Sequence, residues 1–192
     1  MKTVCVFTGS SPGSRPEYQA LAAQLGRLIA EREMTLVYGG GNVGLMGIIA
    51  DAALEAGGRV IGVIPSQLLE MEVAHMGLSE LQVVTSMHER KDLMITTSDA
   101  FITMPGGFGT LDELFEVLTH AQLGYHSKPC GVLNVDGFYD ALLSYLDFMV
   151  AREFVKPRHR DMLVVDSEPE RLLDAMLDYT APETGKWIDR DQ

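Results

Sequence analysis

Pro105-Gly106-Gly107-Phe108-Gly109-Thr110-Leu111-Asp112-Glu113 stands between two patterns of different period. Ahead of it, Ala100-Phe101-Ile102-Thr103-Met104 is a mostly apolar run, as a strand buried in a parallel sheet requires. After it, Leu111, Leu114, Phe115, Leu118 and Gln122 fall on one face of a helix. The glycines occupy the turn, where a side chain would keep a ligand off the backbone. Unpaired amides at a helix start, with the positive end of its dipole, form an anion site. A plainer reading uses the same residues. Thr110-x-x-Glu113 is a capping box, whose side chains satisfy orphan amides. The strand-to-helix context favours phosphate binding.

Working outward, strand-like runs occur at 3–8, 35–38, 59–64, 81–85, 100–104, 130–135 and 162–165. Helical patterns at 16–32, 45–56, 87–97, 110–123 and 137–152 alternate with them, and one more follows at 168–178. Such alternation predicts an α/β fold, a Rossmann-like, doubly wound parallel sheet with helices on both faces. With 192 residues the chain suffices for one domain, expected over 1–180, with a mobile tail at 181–192 where periodicity ends. Ligands of such sheets bind beyond the carboxyl ends of the strands.

The segments after each strand are therefore the informative ones. Gly9-Ser10-Ser11 could line a pocket or simply turn the chain, and Ser14 with Glu17 forms a second capping box. Gly39, Gly41 and Gly44 match G-x-G-x-x-G between strand and helix. A dinucleotide fold then wants an acid at the end of the next strand, about 20 residues on. That strand ends Val63-Ile64-Pro65-Ser66, so dinucleotide binding is disfavoured and approach to a mononucleotide or sugar phosphate stays open. The connection from 65 to 80 carries Glu70, Glu72 and His75 and has no clear element, as functional loops often do. A lone histidine there is more often structural than catalytic.

Ser86-Met87-His88-Glu89-Arg90-Lys91 opens another helix, with Ser86 and Glu89 a third capping box. Arg90 shares a face with Met87 and Met94, so its charge needs a partner: a protein carboxylate, Glu113 or a substrate oxygen. Glu113 is expected opposite the apolar face of its helix, near the mouth towards which Arg90 points. The segment 138–150 presents Leu142, Leu143, Leu146, Met149 and Val150, surplus apolar surface that marks a contact or extra core.

Composition narrows the function. The net charge of −12 argues against nucleic acid as a partner. No apolar run approaches the roughly 18 residues of a membrane span, and the first apolar run is too short for a signal peptide. Cys5 and Cys130 read as buried reduced thiols, in keeping with a cytoplasmic address.

Met87-His88-Glu89-Arg90-Lys91 followed by Pro105-Gly106-Gly107-Phe108-Gly109-Thr110-Leu111-Asp112-Glu113 resembles the LOG ("Lonely Guy") family. Its members are cytokinin riboside 5′-monophosphate phosphoribohydrolases, and many bacterial members look like AMP-cleaving enzymes. The resemblance extends over about residues 1–180 and implies that Arg90 and Glu113 form a catalytic pair. It further implies that Glu72, Lys91, the run Gly107, Phe108, Gly109 and Thr110, and Thr119 hold substrate. Gly9, Ser10, Gly40, Gly41, Met87 and Gly106 complete the expected contacts. A homodimer with sites at the subunit boundary is implied as well.

The older label for this family, lysine decarboxylase, calls for a lysine bound to pyridoxal phosphate, and no residue here is singled out for that role. The reaction expected is hydrolysis of the N-glycosidic bond of adenine or N6-modified adenine nucleoside 5′-monophosphates, with no metal or redox cofactor. The alternative is a non-catalytic nucleotide or cofactor carrier on the same fold. A carrier needs the glycine loops but not Arg90 together with Glu113.

Overall fold

The computed structural model describes residues 1–69, 71 and 74–182. Seven parallel strands form one sheet in the order β4-β3-β2-β1-β5-β6-β7. They are β1 (Thr3–Phe7), β2 (Thr35–Tyr38), β3 (Val60–Pro65), β4 (Glu80–Val84), β5 (Ala100–Thr103), β6 (Cys130–Leu133) and β7 (Leu163–Asp166). All seven lie where the apolar runs predict them. The order runs outward one way from β1 to β4 and the other way from β5 to β7, so it reverses between β1 and β5. Val4 pairs with Ala100 and Phe7 with Thr103, which brings the two following loops side by side. That is the switch point at which doubly wound sheets bind ligands.

Helices α1 (Pro16–Glu31), α2 (Gly44–Glu55) and α8 (Pro169–Leu177) cover one face, packing Leu25, Ile29, Ile49 and Leu172 on Val4, Leu36 and Ile102. Helices α4 (Met87–Thr97) and α5 (Phe108–Gln122) cover the other, with Met94, Ile95 and Val117 on Cys5, Val37 and Phe101. A third cluster joins α5 and β6 to α6 (Asp140–Ala151) through Leu114, Val132, Tyr139 and Leu146. Leu142, Leu143 and Met149 pack against it, so much of the apolar surplus of 138–150 is extra core. The exposed face of α6 carries Tyr145 and Phe148 instead, stacked with ring centroids 6.3 Å apart. Among the described residues no helix is long and apolar enough to cross a membrane. Cys5 and Cys130 are buried free thiols, and burial pushes the Cys130 thiol up to about 12.

The capping boxes fare less well. At α1 the boundary residue is Arg15, and no side chain caps the helix. At α4 Ser86 Oγ accepts from Glu89 N at 3.1 Å, but Glu89 reaches back to Thr85 N and Oγ1, each at 2.7 Å. At α5 the helix begins at Phe108 with Gly107 as its boundary, so Thr110 is already inside and no box forms. The glycines let the helix start three residues earlier than the Thr-x-x-Glu pattern suggests. The helix expected at 137–152 begins only at Asp140, because Asp136 (φ 52°) and Gly137 (φ 71°) take left-handed backbone in a 3-10 turn at Val135–Gly137. Two short helices escape sequence reading, α3 (Ser66–Leu69) and α7 (Pro157–Arg160).

His75 is structural, as a lone histidine usually is. Its Nδ1 accepts from Gly77 N at 3.2 Å, which leaves the proton on Nε2 to donate to Asp51 Oδ1 at 2.8 Å. Its own amide donates to Gly40 O at 3.1 Å, and Ala74 bridges to Gly41. The tail expected at 181–192 lies outside the described residues from 183 onward.

Candidate active site

A cavity of about 220 Å³ opens at the switch point, between the N-terminal ends of α4 and α5 and beyond β1 and β2. Its wall brings together Gly9, Ser10, Met87, Arg90, Gly107, Phe108, Gly109, Thr110 and Glu113 from three segments of the chain. Nine of the fifteen residues expected at the site thus meet at one place.

The loop geometry explains the glycines. Met104 N donates to Phe7 O at 2.9 Å and Gly9 N to Pro105 O at 3.1 Å, tying the loops after β1 and β5 together. A Cβ on Gly106 would overlap the Thr110 hydroxyl and lie 2.9 Å from Gly9 N, so Gly106 supports the wall from behind. The first intrahelical bond of α5 runs from Leu111 N to Gly107 O at 3.2 Å. The amides of Phe108, Gly109 and Thr110 precede it and have no helical acceptor. They carry the positive end of the α5 dipole at the cavity. Phe108 is 94% exposed on its rim.

Arg90 is buried, and its partners are main-chain carbonyls rather than a carboxylate. Nε donates to Val63 O at 3.1 Å and Nη2 to Gly39 O at 2.8 Å, while Nη1 faces Met87 Sδ at 3.8 Å. No ion pair joins it to Glu113. Of the partners expected, a protein carboxylate and Glu113 do not bond to it, because the carbonyl ends of β2 and β3 point at the first turn of α4, a tertiary contact no local pattern reveals; a substrate oxygen remains open to it. Such carbonyls fix the guanidinium without neutralising it, so its charge stays available to the cavity.

Glu113 does not lie opposite the buried side of α5. The buried stripe is Thr110, Glu113, Leu114, Val117 and Ala121, while Leu111 and Leu118 turn towards α6 and Phe115 is exposed. Glu113 is 9% exposed and lines the cavity. Burial pushes its carboxyl up to about 7, opposed by the Arg90 charge, assisted by Asp112 and Glu116, and opposed again by Lys91. A carboxyl in this range exchanges protons near neutral pH, as acid–base and cation-stabilising groups must.

The other expected residues stand elsewhere. Gly40 (φ 77°) and Gly41 bond to the 74–75 segment, outside the cavity wall. Lys91 pairs with Asp112 and Glu116. Thr119 is two turns further along α5, donating to Phe115 O at 2.6 Å, beside a separate, mostly apolar cavity with Leu146 and Met149. Glu72 lies outside the described residues. Sequence reasoning missed Thr8, Gly39, Met46 and Asp112 on the wall. Thr8 and Gly39 directly follow β1 and β2, so the rule of strand carboxyl ends could have found them. Asp112 was within the quoted motif, and for Met46 there was no signal. Among the described residues no lysine lines the cavity.

A family model described as "Possible lysine decarboxylase" matches residues 46–176. The chain is 49% identical over 181 residues to the probable cytokinin riboside 5′-monophosphate phosphoribohydrolase LOGL5 of Oryza sativa subsp. japonica, covering 94% of this chain and 74% of that one. It is 47% identical over 178 residues to the cytokinin riboside 5′-monophosphate phosphoribohydrolase LOG7 of Arabidopsis thaliana, covering 93% and 82%. Among solved structures, the molybdenum cofactor binding protein of Rippkaea orientalis superposes with a TM-score of 0.71 at 26% identity, over 93% of this chain and 97% of that one. The molybdenum cofactor carrier protein of Chlamydomonas reinhardtii shares the fold, at 19% identity and a TM-score of 0.69. The two motifs that face each other across the cavity, and the identity that continues through nearly the whole chain, place it in one group: the chain belongs to the LOG family of cytokinin riboside 5′-monophosphate phosphoribohydrolases.

Proposed function

We propose that the protein hydrolyses the N-glycosidic bond of adenine or N6-modified adenine nucleoside 5′-monophosphates, releasing free base and ribose 5-phosphate. The observation that carries this reading is Glu113: a buried carboxyl facing a cavity that also holds Arg90 and the free amides of a helix start. The 5′-phosphate sits on the amides of Phe108, Gly109 and Thr110, which fixes the ribose against Glu113. As the bond from C1′ to the base breaks, the ribose gains oxocarbenium character and the Glu113 carboxylate stabilises it. Glu113 then takes a proton from the attacking water. Arg90, held by Val63 O and Gly39 O, faces the departing base and favours the negative charge that develops there, and the base takes up a proton from solvent as it leaves while Glu113 later returns its own to solvent.

The carrier reading draws support from the solved cofactor carriers. Carriage leaves Glu113 unexplained, because burying an ionisable group with no chemistry to do is costly, and the relatives at 47–49% identity are named as hydrolases.

The working unit is a homodimer in the cytoplasm, as two buried reduced thiols suit. Thr119 is nine residues from Thr110, about 13 Å along the helix, too far to serve the same site. It belongs to the partner's site, across an interface that includes Phe115 and the exposed aromatic face of α6. Incubation with AMP and with isopentenyl-AMP tests the reaction: release of base from at least one is expected, and intact nucleotide in both would refute it.

A further inference from the structure

Arg90 owes its place to two main-chain carbonyls, and one of them belongs to a run of glycines. Gly39 O accepts from Nη2 at 2.8 Å and Val63 O from Nε at 3.1 Å. Gly39-Gly40-Gly41 has no side chain to hold it, and glycine backbone loses the most freedom on folding. The bearing of the Gly39 carbonyl is therefore set by what packs around it. Gly40 (φ 77°) lies against β3: a Cβ there would stand 3.2 Å from Ile64 Cβ and 3.4 Å from the Val63 carbonyl carbon. On the next peptide, Gly40 O accepts from His75 N at 3.1 Å, and Ala74 forms an antiparallel bridge with Gly41. Segment 74–75 is itself pinned by the His75 ring, whose side chain is 9% exposed. Its Nδ1 accepts from Gly77 N at 3.2 Å and its Nε2 donates to Asp51 Oδ1, on α2, at 2.8 Å. Asp51 and His75 both stand outside the cavity wall.

We propose that Asp51 and His75 are positioning residues for Arg90: their contact anchors segment 74–75 on Gly40–Gly41, which fixes the Gly39 carbonyl and through it the guanidinium. Neither touches a substrate atom, and the proposal rests on the reading of Arg90 given above. The contacts are continuous, running from α2 through segment 74–75 to the loop after β2 and on to α4. A Gly39 carbonyl that swings away leaves Nη2 with an unpaired proton in a buried place, and the guanidinium then turns to find another acceptor. Arg90 would lose its aim at the departing base rather than its charge, so the loss falls on turnover and spares nucleotide binding. A histidine that served the fold alone would lower stability and leave the folded molecules as fast as before.

The test compares Asp51→Ala, His75→Leu and His75→Gln in the full chain, with AMP as substrate. Asp51 is exposed on its helix and alanine suits a helix, so Asp51→Ala keeps the fold even where His75→Leu does not. Val63 O still holds Nε, so the loss is partial: kcat should fall about tenfold in Asp51→Ala and His75→Leu, with KM within about twofold. Glutamine carries an amide donor at the reach of Nε2, so His75→Gln should stay within about threefold of wild type. The double variant Asp51→Ala, His75→Leu should match the slower single within about twofold, because both act through one contact. A second readout needs no turnover. While Nη2 bonds to Gly39 O, rotation about the Nε–Cζ bond of Arg90 is held back and its terminal nitrogens stay distinct. NMR, assigned with Arg90→Lys, should resolve them in wild type and His75→Gln and find them merged in Asp51→Ala and His75→Leu. Signals that stay resolved in both of those variants would overturn the anchor, whatever happens to kcat. Merged signals with kcat at the wild-type level would instead remove Arg90 from the chemistry. A wild type inert towards nucleotides refutes the hydrolase and leaves the NMR result to decide the anchor.

Discussion

Glu113 carries a burden that a residue serving only the fold would not carry. Its folded-state pKa of about 7 stands above the ordinary value of 4.5, so the folded chain binds this proton more tightly than the unfolded one. The stability gained from protonation is therefore complete below about pH 4.5 and is lost as pH rises through 7. Glu113→Gln removes that loss, and urea unfolding near pH 8 should show it more stable than wild type by on the order of 2–3 kcal/mol. Near pH 4 the two should agree. Turnover moves the other way, since kcat/KM of wild type should rise with pH through about 7 as the carboxylate forms. Gly39 is the other decisive single position. A Cβ there would overlap Arg90 Nη2, so Gly39→Ala must displace the guanidinium. We expect kcat to fall about tenfold or more with a smaller change in KM, and an unaltered kcat would mean that Arg90 plays no part in the chemistry.

At the scale of elements, the proposed seat of the phosphate at the N-terminus of α5 makes the phosphate an expected requirement. The chain is acidic overall, so local donors must hold an anionic substrate. Charge-assisted hydrogen bonds contribute on the order of 1.5–3 kcal/mol each, and losing two or three should cost roughly 10²–10⁵-fold in kcat/KM. Adenosine should be that much poorer than AMP, and Thr110→Val should weaken AMP cleavage while barely affecting residual adenosine cleavage. Comparable kcat/KM values would remove phosphate from the α5 amides. The elements themselves were legible in the chain. Apolar runs located all seven strands, and the period around Met87 and Met94 placed α4 over the residues it occupies. Caps were not legible, because Ser14 and Thr110 satisfy the pattern while Pro16 and the glycines set the actual helix starts. The partners of Arg90 and Lys91 were hidden for a different reason. They are carbonyls and carboxylates brought close only by the β2–β3 and α4–α5 packing.

The whole molecule unites these elements at the point where strand order reverses, between β1 and β5. The family resemblance implies what the fold of one chain alone does not, above all a role for Thr119. Sedimentation at micromolar concentration should give a dimer. Mixing Glu113→Gln with Thr119→Asp, each poorly active alone, should then restore activity to roughly a quarter of wild type through hybrid dimers with one intact site, on the isologous arrangement expected of twofold dimers. No recovery would confine Thr119 to its own chain. The most direct test of the central claim follows one turnover of AMP by Glu113→Gln while binding is measured in parallel. Binding within about tenfold of wild type is expected, with adenine release slower by about a thousandfold or more. Adenine released at close to the wild-type rate would contradict the assignment of the chemistry to Glu113.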